Sequence, residues 1–453
     1  MNIKTNSKDV KSGDVFICIH DEKEDRHKYI KDIKKASAIV VDQSINIKTK
    51  IPIIKVKNTN DTLFDIYDKY YNYPLKDLNL ISVTGTDGKT TTSFIIKSLL
   101  DMIYPTAYLG TLGLCYKDKQ IKTNNTTVSA PKFLEYASFL RKDNIKNLVM
   151  EVSSEGLLHN RCNNLLFKRA IITNVTGDHL NVHNSFENYL KTKLKLFDQL
   201  DKNSIAIINT DDISYKYLKE KKIKTISYGF NKKADFHITD FKLYSDKTIF
   251  SFKLKNKFYK VESPFLGKFN IYNLVSAIAC LYSLDIDLMD VISRIKYLKP
   301  IPGRLNVFKT RKEATIILDY AHTINATKEI LLFANSVKKN KIITVVGCAG
   351  GRDKSKRQDI GKIVTNLSDK VIFTMDDPRY EKVKDIVGGM TKDINNNNYI
   401  YIKNRKKAIK KAIKESNKDD IILVLGKGTD NYMAIKNKYK KYSDAKIIKK
   451  YIY

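Results

Sequence analysis

The sequence predicts an α/β protein of several domains built around a mostly parallel sheet. Three observations carry that expectation. The chain has 453 residues, enough for about three domains. Short apolar runs alternate with helix-period stretches along most of it, the pattern of strands covered by helices. One strand–helix junction, residues 81–100 (ISVTGTDGKTTTSFIIKSLL), carries a glycine-rich loop of the kind that holds phosphate.

The elements follow in order. Residues 1–78 hold strand-like pieces at 15–19 and 38–41, with Ser12-Gly13-Asp14 as a turn before the first, and read as a small α/β module. Residues 79–300 form a central domain. Ile81 and Val83 lie in a buried strand, and the helix over 91–100 faces its core with Phe94, Ile95, Ile96 and Leu99. Further strands are expected at 148–152, 170–175 and 205–208, and a small antiparallel excursion at 236–258. An apolar helix is expected over 267–284, and Pro300, Pro302 and Gly303 mark a linker. Residues 301–453 form a second α/β domain, with strands at 316–320, 342–346, 371–374 and 421–425. The Lys-rich tail, 436–453, is expected at the surface.

The loop itself carries chemistry. Gly85, Thr86, Asp87, Gly88, Lys89, Thr90 and Thr91 join strand to helix. Backbone N–H groups and the helix N-terminus attract anionic oxygens. In such loops the lysine, here Lys89, reaches the terminal phosphates, and the hydroxyl after it, Thr90, holds Mg²⁺. The common pattern has glycine at position 83, where this chain has Val83, so the loop is a shortened variant; a plain glycine turn before a helix is the alternative. Glu151, Asn174, Asp178 and His179 stand at the ends of expected strands. Each alone could cap a turn, but together they occupy the carboxyl edge of the sheet, where open α/β folds bind ligands.

Bulk properties narrow the class. The net charge of +33 invites a nucleic-acid reading, yet the lysines are spread along the whole chain, which fits a solvated surface better than a basic patch. Five scattered cysteines give neither a disulfide framework nor zinc spacing, and fit a reducing compartment. The first residues, MNIKTNSKDVKSGD, have no apolar core, so no secretory signal is expected. No run of about 18 apolar residues exists, so no membrane partner is expected.

Set in order, several stretches resemble the Mur ligases, ATP-dependent ligases of the peptidoglycan stem peptide, and among them the MurE type. They are TGTDGKTTT (84–92), NTT (125–127), MEVSSEGLLHNR (150–161), TNVTGDHLNVH (173–183), ENYLKTK (187–193), GKFNIYN (267–273), GRLNVF (303–308), DYAH (319–322), GCAGGRDKSKR (347–357), DDPR (376–379) and GKGTDNY (426–432). The resemblance implies three α/β domains: a UDP-binding N-terminal domain (1–78), a central phosphate-loop ATPase domain (79–300) and a Rossmann-like C-terminal domain that binds the amino acid (301–453). It implies a cytoplasmic, monomeric enzyme taking UDP-MurNAc-L-Ala-D-Glu, a diamino acid, ATP and Mg²⁺, with no nucleic-acid partner.

Carried over by match, Lys89 and Thr90 hold phosphate and Mg²⁺, and Glu151 and His179 are similar to the family's metal-binding positions. Lys193 falls where many Mur ligases carry a carbamylated lysine. Asn270 and Asn273 lie on the adenine side; Arg304 and Asp319 sit in the linker and strand that close over ATP. Ser7 is implied to meet the UDP group. Asn125, Thr126, Thr127, Ser153, His159 and Arg161 fall on the muramoyl-dipeptide contacts. Arg352, Asp376, Asp377, Pro378, Arg379, Gly426 and Asp430 fall on the diamino-acid pocket. There are departures. His159 replaces a commoner Gln, Glu155 stands where His is frequent, and Arg26 replaces a glycine. Gly-Lys-Gly-His-Glu becomes Gly426-Lys427-Gly428-Thr429-Asp430, and Asp-Asn-Pro-Arg becomes Asp376-Asp377-Pro378-Arg379.

The chemistry explains these residue types. A carboxylate condenses with an amine only once activated, and ATP activates it as an acyl phosphate. Phosphoryl transfer needs in-line placement and charge neutralisation more than a covalent catalyst. Mg²⁺ wants oxygen ligands; a lysine ammonium has no lone pair to give, so a carbamate would turn Lys193 into an anionic oxygen ligand. Arg352 and Arg379 can fork onto carboxylates, which favours meso-diaminopimelate. Asp377 in place of Asn adds a negative charge that points instead toward an ammonium, hence L-lysine. Two other classes remain: another amide ligase of the superfamily, such as a folylpolyglutamate or amino-acid-polymer synthetase, and a non-catalytic basic nucleic-acid-binding protein.

Overall fold

The structure, a computed structural model, describes residues 2–20, 25–177 and 180–452. The N-terminal sheet is parallel, in the order Ile3–Lys4, Val15–Ile17, Ala38–Val41, Ile53–Lys55. Period-2 alternation covers both of its faces: Phe16, Ile39 and Val41 pack with Ile30 on one side, and Ile17 and Val40 with Leu63 on the other.

The central sheet has eleven strands among the described residues. Its heart is parallel: Lys224–Gly229, Ile205–Asn209, Arg169–Ile172, Asn79–Thr84, Asn147–Glu151 and Thr106–Gly110 lie side by side. These strands are apolar on both faces because both are covered. Ile81 and Val83 lie under the helices Lys89–Asp101 and Lys268–Tyr282, whose Ile95, Ile96, Leu99, Ile271 and Leu274 are fully buried. Leu80, Leu148 and Met150 face the helix Ala130–Lys142 through Phe133 and Leu134. Phe94, expected in the core, is only partly buried.

The antiparallel excursion is larger than expected. Strands Phe236–Leu243, Thr248–Leu254 and Lys257–Ser263 extend the central sheet itself at one edge. The alternation of Phe250, Phe252 and Leu254 with half-exposed neighbours is the signature of a sheet covered on one face only. At the other edge are two short strands that no sequence pattern announced, Gly113–Tyr116 and Lys119–Ile121.

The C-terminal sheet runs Asn306–Lys309, Thr315–Asp319, Ile421–Leu425, Ile342–Val346, Lys370–Phe373, Tyr399–Tyr401, parallel except for its first strand. The Lys-rich tail is not merely surface, and that expectation is corrected. Lys438–Lys441 pairs with Tyr432–Ile435, and the helix Asp444–Tyr451 buries Ile448 against Ala408 and Ile409. Asp444, wholly buried, pairs at 2.7 Å with the equally buried Arg405. The lysines dominate the composition, but the two apolar-period positions and one ion pair decide the packing.

All five cysteines are free thiols. Among the described residues no helix is long and apolar enough to cross a membrane.

Candidate active site

A cleft of about 880 Å³ lies between the central and C-terminal sheets, and the phosphate loop forms its floor. The loop starts where the strand Asn79–Thr84 ends. Gly85 (φ +146°) and Gly88 (φ +83°) turn it in backbone regions that favour glycine. Space demands glycine too: a Cβ at Gly85 would stand 1.9 Å from Thr173 Oγ1, and one at Gly88 2.5 Å from Asn273 Oδ1. Neighbouring groups pin the loop. Asn174 Oδ1 accepts the Asp87 amide at 3.0 Å, and Thr173 Oγ1 donates to the Asp87 carbonyl at 2.6 Å. Asn273 Oδ1 accepts the Thr92 hydroxyl at 3.1 Å, and its amide donates to Asn270 Oδ1 at 2.9 Å. Asn270 and Asn273, expected near the adenine, thus also brace the loop from the helix Lys268–Tyr282. Val83 sits upstream as a fully buried strand residue, which is why the missing glycine costs the loop nothing.

Beside the loop is an oxygen-rich corner. Glu151, 1% exposed at the end of its strand, accepts the Thr90 hydroxyl at 3.0 Å, the Thr111 amide at 3.0 Å and the Tyr108 hydroxyl. These partners are two hydroxyls and an amide. A buried carboxylate among hydroxyl oxygens fits a hard divalent cation such as Mg²⁺. Burial and the Glu151 carboxylate push the Tyr108 phenol far up, so it stays a donor. Arg304 reaches the same hydroxyl from the C-terminal side: its Nη2 is 3.1 Å from Thr90 Oγ1, and its guanidinium stacks 4.7 Å over the Tyr320 ring. Asp319 fixes the linker that carries it, accepting the Leu305 amide at 2.8 Å and the Ala321 amide at 2.7 Å. Burial raises the Asp319 pKa, and the Arg304 charge and those amides oppose it.

Lys193 is 1% exposed, not a surface lysine. The helix Phe186–Leu194 aims its Nζ at the Gly85 carbonyl, 2.7 Å away, and 4.5 Å above the Tyr189 ring. Lys89 Nζ donates to the carbonyls of Gly85 and Thr86 at 2.9 and 2.8 Å. His179 and Asp178 lie outside the described residues.

At one end the cleft is lined by Asn125, Thr126, Ser153 and Arg161. Thr127 lies beneath them, buried, with its hydroxyl donating to the Glu151 carbonyl at 3.0 Å. It therefore braces that wall. His159, at the end of the short helix Ser154–Leu158, does not line the cleft. Ser7 begins the 3-10 turn Ser7–Asp9 of the N-terminal sheet and does not line it either.

The other end holds Arg352, Asp376, Asp377, Arg379, Gly426 and Asp430. Pro378 is buried behind them. Lys427 organises this end. Fully buried, its Nζ lies 2.8 Å from Asp377, 3.3 Å from Asp430 and 3.5 Å from Asp376. Burial works against its charge, but the carboxylates prevail and raise its pKa. Asp377 also accepts the Ala434 amide at 2.9 Å. Its extra negative charge is therefore spent inside the protein. That removes the sequence argument that Asp377 recruits an ammonium. Asp430 is the weaker partner: burial outweighs Lys427 and raises its pKa.

Both arginine loops are clamped by one ion pair between a buried arginine and a partly exposed glutamate. Arg357 donates Nη1 and Nη2 to the Glu381 carboxylate at 2.9 and 3.0 Å, and the Gly351 amide adds 2.6 Å. Arg357 thereby holds Glu381 down to about 2. A carboxylate depressed on folding stabilises fully above its unfolded value, here 4.5, and that contribution is lost as pH falls toward 2. In Glu381→Gln the acid-sensitive part disappears. The urea midpoints of wild type and variant should differ at pH 5.5 and converge toward pH 3; a gap that is constant over that range would contradict the clamp.

Three contacts had no sequence signal. Asp87 accepts the Thr323 hydroxyl at 3.0 Å and the Asn325 amide at 3.3 Å, tying the loop to the N-terminus of the C-terminal helix Ile324–Val337. Tyr108 and Thr111 come from the strand and turn that follow the loop helix. Lys427 sits between two glycines with nothing local to mark it as buried.

Residues 83–281 match a family model described as the Mur ligase middle domain, and residues 303–428 one described as Mur ligase, glutamate ligase domain. The chain is 35% identical over 459 residues to the UDP-N-acetylmuramoyl-L-alanyl-D-glutamate--2,6-diaminopimelate ligase of Clostridium perfringens, covering 99% of this chain and 94% of that relative. It is 35% identical to UDP-N-acetylmuramyl-tripeptide synthetase 2 of Oceanobacillus iheyensis, covering 98% and 93%. Among solved structures, a UDP-N-acetylmuramoyl-L-alanyl-D-glutamate--2,6-diaminopimelate ligase superposes with a TM-score of 0.69 at 26% identity, covering 100% of this chain and 94% of that one. A Mycobacterium tuberculosis folylpolyglutamate synthase shares the fold, with a TM-score of 0.67 at 14% identity over 81% of this chain and 92% of that one.

Proposed function

This chain belongs to the Mur ligase family, and on that premise we propose that it is an ATP-dependent amide ligase of peptidoglycan precursor synthesis. It joins meso-diaminopimelate to the D-Glu side-chain carboxylate of UDP-MurNAc-L-Ala-D-Glu. The observation that carries this reading is the Thr90 hydroxyl, which meets Glu151 of the central sheet and Arg304 of the C-terminal linker at one point. A phosphate held there touches both halves of the cleft.

The D-Glu carboxylate oxygen attacks the γ-phosphorus of ATP, and ADP leaves. The amine nitrogen then attacks the acyl carbon, loses a proton and expels phosphate. Lys89 and Arg304 neutralise the charge that spreads over the transferred group. Thr90 and Glu151, with His179 and Lys193 if the lysine is carbamylated, would hold Mg²⁺, which would supply further charge neutralisation on the phosphate oxygens. Gly85 to Thr91 cradle the phosphates, and Asn270 and Asn273 set the adenine side. Asp319 positions Arg304. Residues 1–78 take the UDP group, with Ser7 at its contact. The muramoyl dipeptide lies along Asn125, Thr126, Ser153 and Arg161, with Thr127 and His159 supporting them. Residues 79–300 form the ATPase domain, and residues 301–453 present the amino acid to it.

Support for meso-diaminopimelate comes from Arg352 and Arg379, two guanidiniums on the cleft wall that can take its distal carboxylate. L-lysine has no such group. The names of the relatives from Clostridium perfringens and Clostridium tetani point the same way. Incubating the protein with ATP, Mg²⁺, the UDP-dipeptide and each diamino acid in turn tests the reading. The expected result is UDP-tripeptide with meso-diaminopimelate at well above the rate with L-lysine. A preference for lysine would overturn the choice of amino acid; phosphate release with no tripeptide from either would overturn the activity.

A further inference from the structure

The N-terminal sheet carries a side-chain cluster that does not line the cleft. His20 follows the strand Val15–Ile17, and Asp42 follows the strand Ala38–Val41. Asp25 caps the short helix Arg26–Asp32, which contains His27. The cluster thus sits at the carboxyl end of a parallel sheet, where such sheets place ligands. Asp42 is pinned by the next helix: its Oδ2 accepts the Thr59 amide at 3.0 Å and the Thr59 hydroxyl at 2.9 Å. Its Oδ1 then faces both imidazoles, 3.1 Å from His20 Nε2 and 3.3 Å from His27 Nε2. The Asp42 amide donates to His27 Nε2 at 3.4 Å. His20 Nε2–H is placed to donate to that carboxylate, which leaves Nδ1 as its lone-pair nitrogen, while His27 accepts the Asp42 amide at Nε2 and donates Nδ1–H to Asp25. Both Nδ1 atoms turn to Asp25 Oδ1, at 3.7 Å from His20 and 2.5 Å from His27. Two imidazole nitrogens and an anionic oxygen thus face one point, with the His27 Nδ1 proton between two of them.

We propose that His20 Nδ1, Asp25 Oδ1 and His27 Nδ1 bind a divalent cation of the Zn²⁺ class, with Asp42 as the outer carboxylate that orients both rings. One ligand atom from each of the three residues lies within 4.8 Å of the others. Two imidazoles and a carboxylate suit Zn²⁺ or Co²⁺ better than Mg²⁺. A ring whose second nitrogen donates to a carboxylate is the usual partner of such a metal. Three protein ligands leave one tetrahedral position for water or an anion. The 2.5 Å contact of His27 with Asp25 is a hydrogen bond; ligand atoms around a tetrahedral metal with bonds near 2.0–2.1 Å stand roughly 3.3 Å apart. Loading therefore replaces that proton and parts the pair slightly, so binding releases a proton and weakens in acid. The cluster can make this adjustment. His27 and Asp42 are fixed, at 4% and 11% side-chain exposure, while His20 and Asp25 are half-exposed at 50% and 45%.

The test is a Co²⁺ titration of the full chain at saturating Mg²⁺, read by visible d–d absorption, followed by Zn²⁺ competition. One equivalent of Co²⁺ should bind and be displaced by one equivalent of Zn²⁺. His20→Ala and Asp25→Asn, at half-exposed positions, should each weaken binding about tenfold or more, and Asp42→Asn by about 10–100-fold, with circular dichroism unchanged. No stoichiometric band in the wild-type protein overturns the site, whatever the variants do. Binding of undiminished strength in folded His20→Ala and Asp25→Asn overturns it equally.

Discussion

Lys89→Ala should lower kcat by roughly 10²–10³-fold or more, the scale set by losing one preorganised charge on a developing anion. The lysine begins the helix Lys89–Asp101, at the end of the loop that cradles the phosphates. Its Nζ is already within the loop, 2.8–2.9 Å from two carbonyls. On the proposed function, removing it takes a cation from the terminal phosphates and one brace from the loop. Thermal stability should change little, because those carbonyls gain water in an open cleft. Steady-state assay with ATP and the UDP-dipeptide reads the effect. A wild-type rate would remove Lys89 from phosphate binding; a lost rate with a large drop in melting temperature would make its role structural.

The second large effect belongs to Lys193. As an ammonium it can only donate to Gly85, whose carbonyl lies 2.7 Å away. As a carbamate it offers anionic oxygen in the same position. Lys193→Ala should cut kcat by roughly 10²-fold or more, and acetate or formate should restore part of it by filling the vacated space with a carboxylate. Wild-type activity should also rise with added bicarbonate at low lysine occupancy. A lysine that only braced the loop would give a loss that no carboxylate repairs. A variant as fast as wild type would contradict both roles.

Much of this was legible in the sequence because the strands are covered on both faces. Residues 342–346 and 421–425 read as continuous apolar runs and are strands with those bounds. The glycine turn between strand and helix was legible because glycine at 85 and 88 answers a steric demand that any sequence must meet. Other features depend on contacts that are distant along the chain. Asp377 looked like an added charge in the pocket, and only the fold brings Lys427 to it. The tail looked like solvated lysine, and only Arg405, 39 residues upstream, makes Asp444 a buried anchor. The short edge strands after Gly110 have no period long enough to announce them. Thr323 and Asn325 reach Asp87 across more than two hundred residues, which no local pattern encodes.

The central claim is that the cleft activates a carboxylate by phosphorylating it before the amine arrives. The direct measurement uses UDP-dipeptide carrying ¹⁸O in the D-Glu side-chain carboxylate. One labelled oxygen becomes the bridge of the acyl phosphate and departs with phosphorus when the amine attacks. Mass spectrometry should therefore find one ¹⁸O in the released phosphate and one fewer in the tripeptide. Tripeptide formed with unlabelled phosphate would contradict the account.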